Sequence, residues 1–212
     1  MGFRSVLSMA QQWAAERIQP GDTAIDATIG NGVDTLMLCR AVGPTGTVHG
    51  FDVQPRALAE TQARIEAEGT ARIARPVLHL RSHAEMLEAL PPDCRGRVSA
   101  VMFNLGYLPG GSEDAEEGAG PIITRPDTTL PALDAALTLL KPDGVLTIVL
   151  YSGHAGGEEE AEAVRSWAQR LPQLSYQVLV YQFLNAKAEA PYLIGVLKKK
   201  PPVQADKERT RR

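Results

Sequence analysis

Strand-like and helix-like runs alternate five times along these 212 residues, which predicts an α/β fold with a mostly parallel sheet covered by helices on both faces. Two observations sharpen that expectation. The last two strand-like runs, "LSYQVLVYQFLN" (174–185) and "PYLIGVLKK" (191–199), follow one another with only "AKAEA" between them, so the sheet should end in an antiparallel hairpin at its edge. The first strand-like run gives way to Gly30-Asn31-Gly32, at the place where open α/β sheets bind ligands.

Each element has its own signal. "VLSMAQQWAAERI" after Ser5 reads as an amphipathic helix with Ser5 as N-cap. "TAIDAT" is a short strand, and Val33–Val42 a helix closed by Gly43-Pro44. "TVHGFDV" is a second strand, and Pro55 fits the first turn of the helix "PRALAETQARIEAEG". "PVLHLR" is a third strand, followed by a short helix over Ala84–Ala89. "RVSAVMFNL" is a fourth strand, Thr129–Leu140 a helix, "GVLTIVLYS" a fifth strand and Glu158–Arg170 another helix. Five such units ending in a hairpin match the seven-stranded sheet of class I (Rossmann-like) methyltransferases. A dinucleotide-binding fold would more often continue the strand–helix alternation.

Composition bounds the alternatives. A hydrophobic share of 44% with 22% charge is ordinary for a globular chain, and no apolar run approaches the roughly 20 residues that span a bilayer, so no membrane partner is expected. Cys39 and Cys94 stand far apart with no Cys-x-x-Cys, which reads as two reduced thiols in a cytoplasmic protein and gives no metal site. Residues 1–199 read as one domain and 200–212 as a basic, disordered tail; no internal repeat or interdomain linker interrupts them. Residues 198–212 carry a net charge of +5, which leaves −8 for residues 1–197. An acidic body is unusual for a nucleic-acid binder; the tail's functional alternative to a disordered end is a tether for phosphate backbone. Gly106–Asp127 is the one long irregular segment.

The glycine turn fails as a dehydrogenase fingerprint, because Thr35 stands where the third glycine belongs. Its acids say more. Asp26 precedes the turn, and Asp52 ends the second strand 20 residues after Gly32, where a carboxylate can accept both hydroxyls of a ribose. An acid before the turn would repel a pyrophosphate but suits the cationic amino-acid tail of S-adenosylmethionine. Capping of local amides competes as a role for Asp26, and a helix N-terminal position for Asp52. Gln54 could reach the ribose or adenine. His83, in "LRSHAEML", falls where this fold contacts adenine, with a capping role for Ser82 and its neighbours as the competing reading. His49 and His79 read as packed strand residues. At the end of the fourth strand, "FNLGYLPGG" places Asn104 where a neutral amide oxygen, with the backbone carbonyls of Leu105 and Gly106, could orient an attacking nitrogen. Tyr107 could stack on a base or line the pocket.

"DATIGNGVDT", "FDVQ", "FNLGYLPGG", "ITRPDTT", "YSGHAGG" and "FLNAKAEAPYLIGVLKK" together resemble the YtqB-like (MnmM) family of methyltransferases, from about Val6 to Lys199. The resemblance implies methylation of the 5-aminomethyl group of wobble 2-thiouridine in tRNA, with S-adenosylmethionine as cofactor and the anticodon region of tRNA as partner. It implies a cofactor site over Asp26, Thr28, Gly30, Asn31, Gly32, Asp34, Thr35, Asp52, Gln54, Ser82, His83 and Asn104. Asp26 joins Asn104, Leu105 and Gly106 as the expected catalytic set. Tyr107, Leu108, Pro109, Thr124, Arg125, Thr128, Tyr151 and His154 would meet substrate, with Thr129 in the same matched segment. Arg125 is the best candidate for a phosphate contact. The acidic stretch "SEDAEEGAGP" and the tail after Lys200 depart from the family pattern. Methylation of rRNA or another amine, and a regulator that binds the cofactor or a nucleotide without catalysis, are the alternatives; a homodimer is left open.

Overall fold

The computed structural model describes residues 2–69, 71–106 and 122–201. Seven strands form one sheet in the order β3-β2-β1-β4-β5-β7-β6: β1 Thr23–Asp26, β2 Thr47–Asp52, β3 Val77–Leu80, β4 Val98–Leu105, β5 Leu140–Leu150, β6 Tyr176–Tyr181 and β7 Tyr192–Lys198. β1 to β5 pair in parallel, while β7 runs antiparallel to both β5 and β6. This is the expected class I methyltransferase architecture. β7 lies between β5 and β6, so the edge belongs to β6 and the connection spans residues 182–191.

The helices are α1 Val6–Ala15, α2 Val33–Val42, α3 Pro55–Glu68, α4 Met86–Ala89, α5 Pro126–Leu139 and α6 Gly157–Gln169. Ser5 caps α1 by accepting from the Ser8 amide, as its residue type predicts. α1 ends at Ala15, short of the expected Ile18, and β6 covers only Tyr176–Tyr181 of the run 174–185. Three further differences have identifiable causes. α5 begins three residues early because Pro126 occupies its first turn, where a missing N–H costs nothing. β5 begins at Leu140, which pairs with Val98; the ladder resumes at Ala100–Val145, leaving Lys141–Gly144 bulged with Asp143 at φ +65°. The short helix after β3 splits into a 3-10 turn, His83–Glu85, and the single turn α4. A further 3-10 turn at Pro92–Cys94 had no sequence expectation.

Alternation along the central strands sorts side chains between two cores. Ile25, Val101, Phe103 and Leu105 face α5 and α6 with Leu133, Leu146 and Trp167. Ala24, Ala100 and Met102 face α1, α2 and α3 with Ala10, Leu38 and Ile65. By the same alternation Asp26 and Asn104 project to the α1–α2 face, at the carboxyl ends of neighbouring strands. α1 is held close there: a Cβ on Gly195 of β7 would stand 2.6 Å from the Trp13 ring, so the missing side chain lets the indole lie on the strand. The chain reverses its strand order between β1 and β4, and the crevice at that point is where ligands bind such sheets. Among the described residues, no helix is long and apolar enough to cross a membrane, and no group of three metal-binding side chains occurs.

Candidate active site

The turn after β1 is organised by carboxylates. Asp26 is fully buried; its Oδ2 accepts from the Thr35 hydroxyl at 2.6 Å and its Oδ1 from the Thr28 amide at 3.2 Å. Burial, reinforced by the nearby Asp34 charge, pushes the Asp26 carboxyl up to about 7. Asp52 accepts from the Gly30 amide at 3.0 Å and the Gln54 amide at 3.0 Å, so it both pins the glycine turn to β2 and shapes the start of α3. Burial raises its carboxyl, while these backbone donors pull the other way. Each oxygen keeps acceptor capacity beyond those bonds. Gln54 is buried beside it.

The two glycines do different work. Gly32, at φ +75°, approaches α3 and not an open site: a Cβ there would come 2.4 Å from the Thr61 hydroxyl. Gly30 (φ +54°) is the glycine whose amide faces Asp52. The Asn31 side chain is exposed and accepts from the Val33 amide at 3.4 Å, while its carbonyl accepts from Arg64 at 2.8 Å. It therefore shapes the turn from outside. Ser82 caps the Ala84 amide at 3.2 Å. His83 is buried edge-on to Phe103, with a hydrogen bond to the Ala27 backbone, and burial lowers its pKa. Its Nε2 is buried and finds no partner among the described residues.

Asn104 sits across the crevice. Its amide nitrogen donates to Asp34 Oδ2 at 2.7 Å, and Gln11 of α1 donates to Asp34 Oδ1 at 2.6 Å. A carboxylate only accepts, so this bond fixes which end of the Asn104 amide is nitrogen. The Asn104 backbone N–H meets the Thr28 hydroxyl at 2.7 Å. What remains is Asn104 Oδ1, buried and without a partner among the described residues. The expected backbone acceptors are already engaged: the Leu105 carbonyl accepts from the Tyr151 amide at 3.2 Å, and the Gly106 carbonyl from the Thr124 amide at 3.0 Å. The Leu105 side chain belongs to the core.

The residues expected on the substrate side differ in their surroundings. Tyr107, Leu108 and Pro109, with the acidic stretch that follows, lie outside the described residues, as does the tail from position 202. Thr124 is hydrogen-bonded to Gly106 and to Glu160. Arg125 is exposed at the N-cap of α5, and the Thr128 hydroxyl is turned back onto its carbonyl at 3.1 Å. Tyr151 is half-buried; burial and the Asp34 charge raise its phenol pKa. His154 packs beside Gly106 and Gly157, its Nδ1 3.1 Å from the Ala155 carbonyl. His49 and His79 stay away from this crevice, 3.2 Å apart between ring nitrogens, with His79 stacked on Phe51.

The family model described as "Putative rRNA methylase" matches residues 48–196. The chain belongs to that family. It is 40% identical over 188 residues to the "tRNA (mnm(5)s(2)U34)-methyltransferase, chloroplastic" of Arabidopsis thaliana, an alignment covering 86% of this chain and 65% of the plant protein. The chain thus spans just under two thirds of that relative's length. A "putative rRNA-methylase" structure from Clostridium thermocellum superposes with a TM-score of 0.84 at 35% identity, over 93% of this chain and all of that one. A "putative methyltransferase" from Streptococcus mutans in complex with SAH does so with a TM-score of 0.79 at 30% identity, over 93% and 99% of the two chains.

Several residues of this family member escape a reading of the sequence. Gln11 looks like an exposed polar position of an amphipathic helix, and Thr61 and Arg64 like ordinary residues of α3. Glu160 looks like one of three solvated acids in the first turn of α6, yet it is 2% exposed. Buriedness of an acid beside two exposed ones has no local signature.

Proposed function

We propose that the protein is an S-adenosylmethionine-dependent N-methyltransferase acting on RNA, which converts the 5-aminomethyl group of wobble 2-thiouridine in tRNA to the methylaminomethyl group. The observation that carries this reading is Asn104 Oδ1, an open acceptor whose direction is fixed by Asp34. Family membership and the plant relative's activity support it.

The chain's donors and acceptors fit the cofactor. The remaining lone pairs of Asp52 suit ribose hydroxyls, and Gln54 and the open Nε2 of His83 suit the nucleoside beyond. Asp26, Thr28, Gly30 and Thr35 surround the position for a charged amino-acid tail. An ionised Asp26 is the complement of a cation there. Asp34 commits both oxygens to Gln11 and Asn104, so its part in this reading is to orient Asn104.

When bound, the cofactor supplies a methyl group on a positively charged sulfur, already activated toward nucleophiles. Asn104 Oδ1 accepts an N–H of the neutral amine and turns its lone pair toward that methyl. Transfer would form the C–N bond as the C–S bond breaks, and the surplus proton of the product ammonium would pass to solvent. Arg125 offers a fork to phosphate oxygens at the rim, and Tyr151 and His154 flank the acceptor side. The reading takes residues 1–199 as the methyltransferase domain and the tail as a phosphate tether. It includes cytoplasmic residence, consistent with free Cys39 and Cys94, with a homodimer as the assembly for light scattering to test.

The test is direct. Purified protein and S-adenosylmethionine are incubated with tRNA from cells lacking the wobble methyl and, separately, with ribosomal RNA, and the nucleosides analysed by mass. Methylaminomethyl-2-thiouridine is expected, with no transfer to tRNA that already carries it. Methyl appearing only in ribosomal RNA, or cofactor binding with no transfer, overturns the proposal.

A further inference from the structure

Glu160 is a buried acid outside the crevice, and its two oxygens are divided between two hydroxyls. Thr124 donates to Oε2 at 2.6 Å and Thr129 to Oε1 at 2.6 Å. The Thr124 hydroxyl in turn accepts from the Gly106 amide at 2.9 Å, while the Thr124 amide donates to the Gly106 carbonyl at 3.0 Å. A relay therefore runs from the Gly106 N–H through Thr124 to Glu160. It joins the end of β4, two residues past Asn104, to the first turn of α6. Thr129 extends the junction into α5, whose N-cap is Arg125.

The relay has a direction. Thr124 has one hydroxyl proton, and giving it to Glu160 leaves its oxygen facing Gly106 as an acceptor. With an apolar residue at position 160 the Thr124 proton would turn elsewhere, with the Gly106 carbonyl 3.5 Å away as one acceptor, and the hydroxyl would no longer be held as the acceptor of the Gly106 N–H. The carboxylate is also placed where the positive end of the α6 dipole favours it.

We propose that Glu160 is a positioning residue for the methyl-accepting nucleotide: through Thr124 it fixes the backbone at Gly106, and with it the mouth of the site next to Asn104. The proposal rests on the methyltransferase reading, and it assigns Glu160 no contact with the cofactor.

The test uses the full chain, SAH, S-adenosylmethionine and hypomodified tRNA. E160A should keep SAH affinity within about two-fold and lose roughly 10- to 100-fold in kcat, the scale of loss that misplaced reacting groups produce. T124V should reproduce that loss. E160A/T124V should be no worse than either alone, because both break one relay. E160Q, whose amide oxygen can still accept from Thr124, should recover most of the activity, and T129V, which removes the other partner of Glu160 but leaves the Thr124 bond in place, should lose less kcat than T124V. E160Q and T124V carry the test if E160A fails to fold. Equal losses of SAH affinity and kcat, or a T124V enzyme with normal kcat, would make Glu160 a packing residue and overturn the proposal. Hydrogen exchange separates this outcome from failure of the functional reading. The Gly106 amide should be protected in wild type and exchange at least about tenfold faster in T124V. If wild type binds SAH but methylates no RNA, the functional reading falls and exchange at Gly106 decides the relay: unchanged exchange in T124V overturns it.

Discussion

Asn104 and Asp34 are joined through Nδ2 and Oδ2 at 2.7 Å, and this bond leaves the Asn104 carbonyl oxygen, not its amino group, as the buried atom without a partner among the described residues. Removing either partner should therefore damage the same event. Asn104→Ala is expected to lower turnover far more than cofactor affinity. Asp34→Ala should lower turnover by about tenfold or more, because the freed amide can flip and present a donor to a donor. Asp34→Asn should be milder, since one amide can accept from Asn104 while donating to the Gln11 side-chain oxygen. Single-turnover methyl transfer beside calorimetric SAH titration separates the two quantities; equal losses in both would point to a collapsed pocket.

Asp52→Ala should weaken cofactor binding by at least about tenfold, since charge-assisted hydrogen bonds contribute roughly 1.5–3 kcal/mol each. It also strips the Gly30 and Gln54 amides of their acceptor, so a modest drop in melting temperature should accompany it. Unchanged SAH affinity in titration would remove Asp52 from the ribose site.

Asp26 carries a pH signature. Its folded pKa lies above its unfolded value, so between pH 4 and 7 the native state holds a proton that the unfolded chain has lost. The ligand-free protein should therefore lose stability from this group as pH rises through that window. Asp26→Asn, which cannot ionise, should gain melting temperature at pH 8 relative to wild type and gain little at pH 5. With a cationic ligand beside it the carboxyl should ionise more readily, so S-adenosylmethionine affinity should increase from pH 6 to 8 in wild type and stay flat in the variant. Melting curves and titrations at the three pH values check both arms.

Arg125 is tested by salt. Arg125→Ala should flatten the dependence of log affinity for tRNA on log salt by roughly 0.7–0.9 for one lost phosphate contact, and reduce turnover as well. Deleting residues 202–212 should also lower tRNA affinity and flatten the slope, while turnover at saturating tRNA stays near normal. Filter binding at three salt concentrations distinguishes the two; a slope unchanged by both variants would leave RNA held by other groups.

The elements that the sequence announces are those with local causes. Ser5, Pro55 and Gly43 mark helix ends through backbone chemistry, and β1 to β5 show themselves by apolar runs. Asp26, Asp52 and Asn104 are visible because acids and amides at strand ends interrupt those runs. The bulge at Lys141–Gly144 and the early start of α5 depend on pairing with Val98 and on Pro126, so both elements begin a few residues before their apolar pattern does. The family resemblance puts Asp34 in the cofactor turn, and its hydrogen-bond partners lie 23 residues before and 70 residues after it. Gln11 and Glu160 become functional candidates only through such distant partners, which no local pattern encodes.

The placement of β7 between β5 and β6 has a consequence for how the chain is made. During synthesis β6 emerges before β7, and in the finished sheet it pairs with β7 alone. Until Tyr192–Lys198 has left the ribosome, β5 keeps a bare apolar edge and β6 has nowhere to dock. The sheet is thus completed by its last described strand inserting between two earlier ones. A nascent chain halted short of residue 198 would carry an open edge at β5, the kind of surface that chaperones hold and that aggregates recruit.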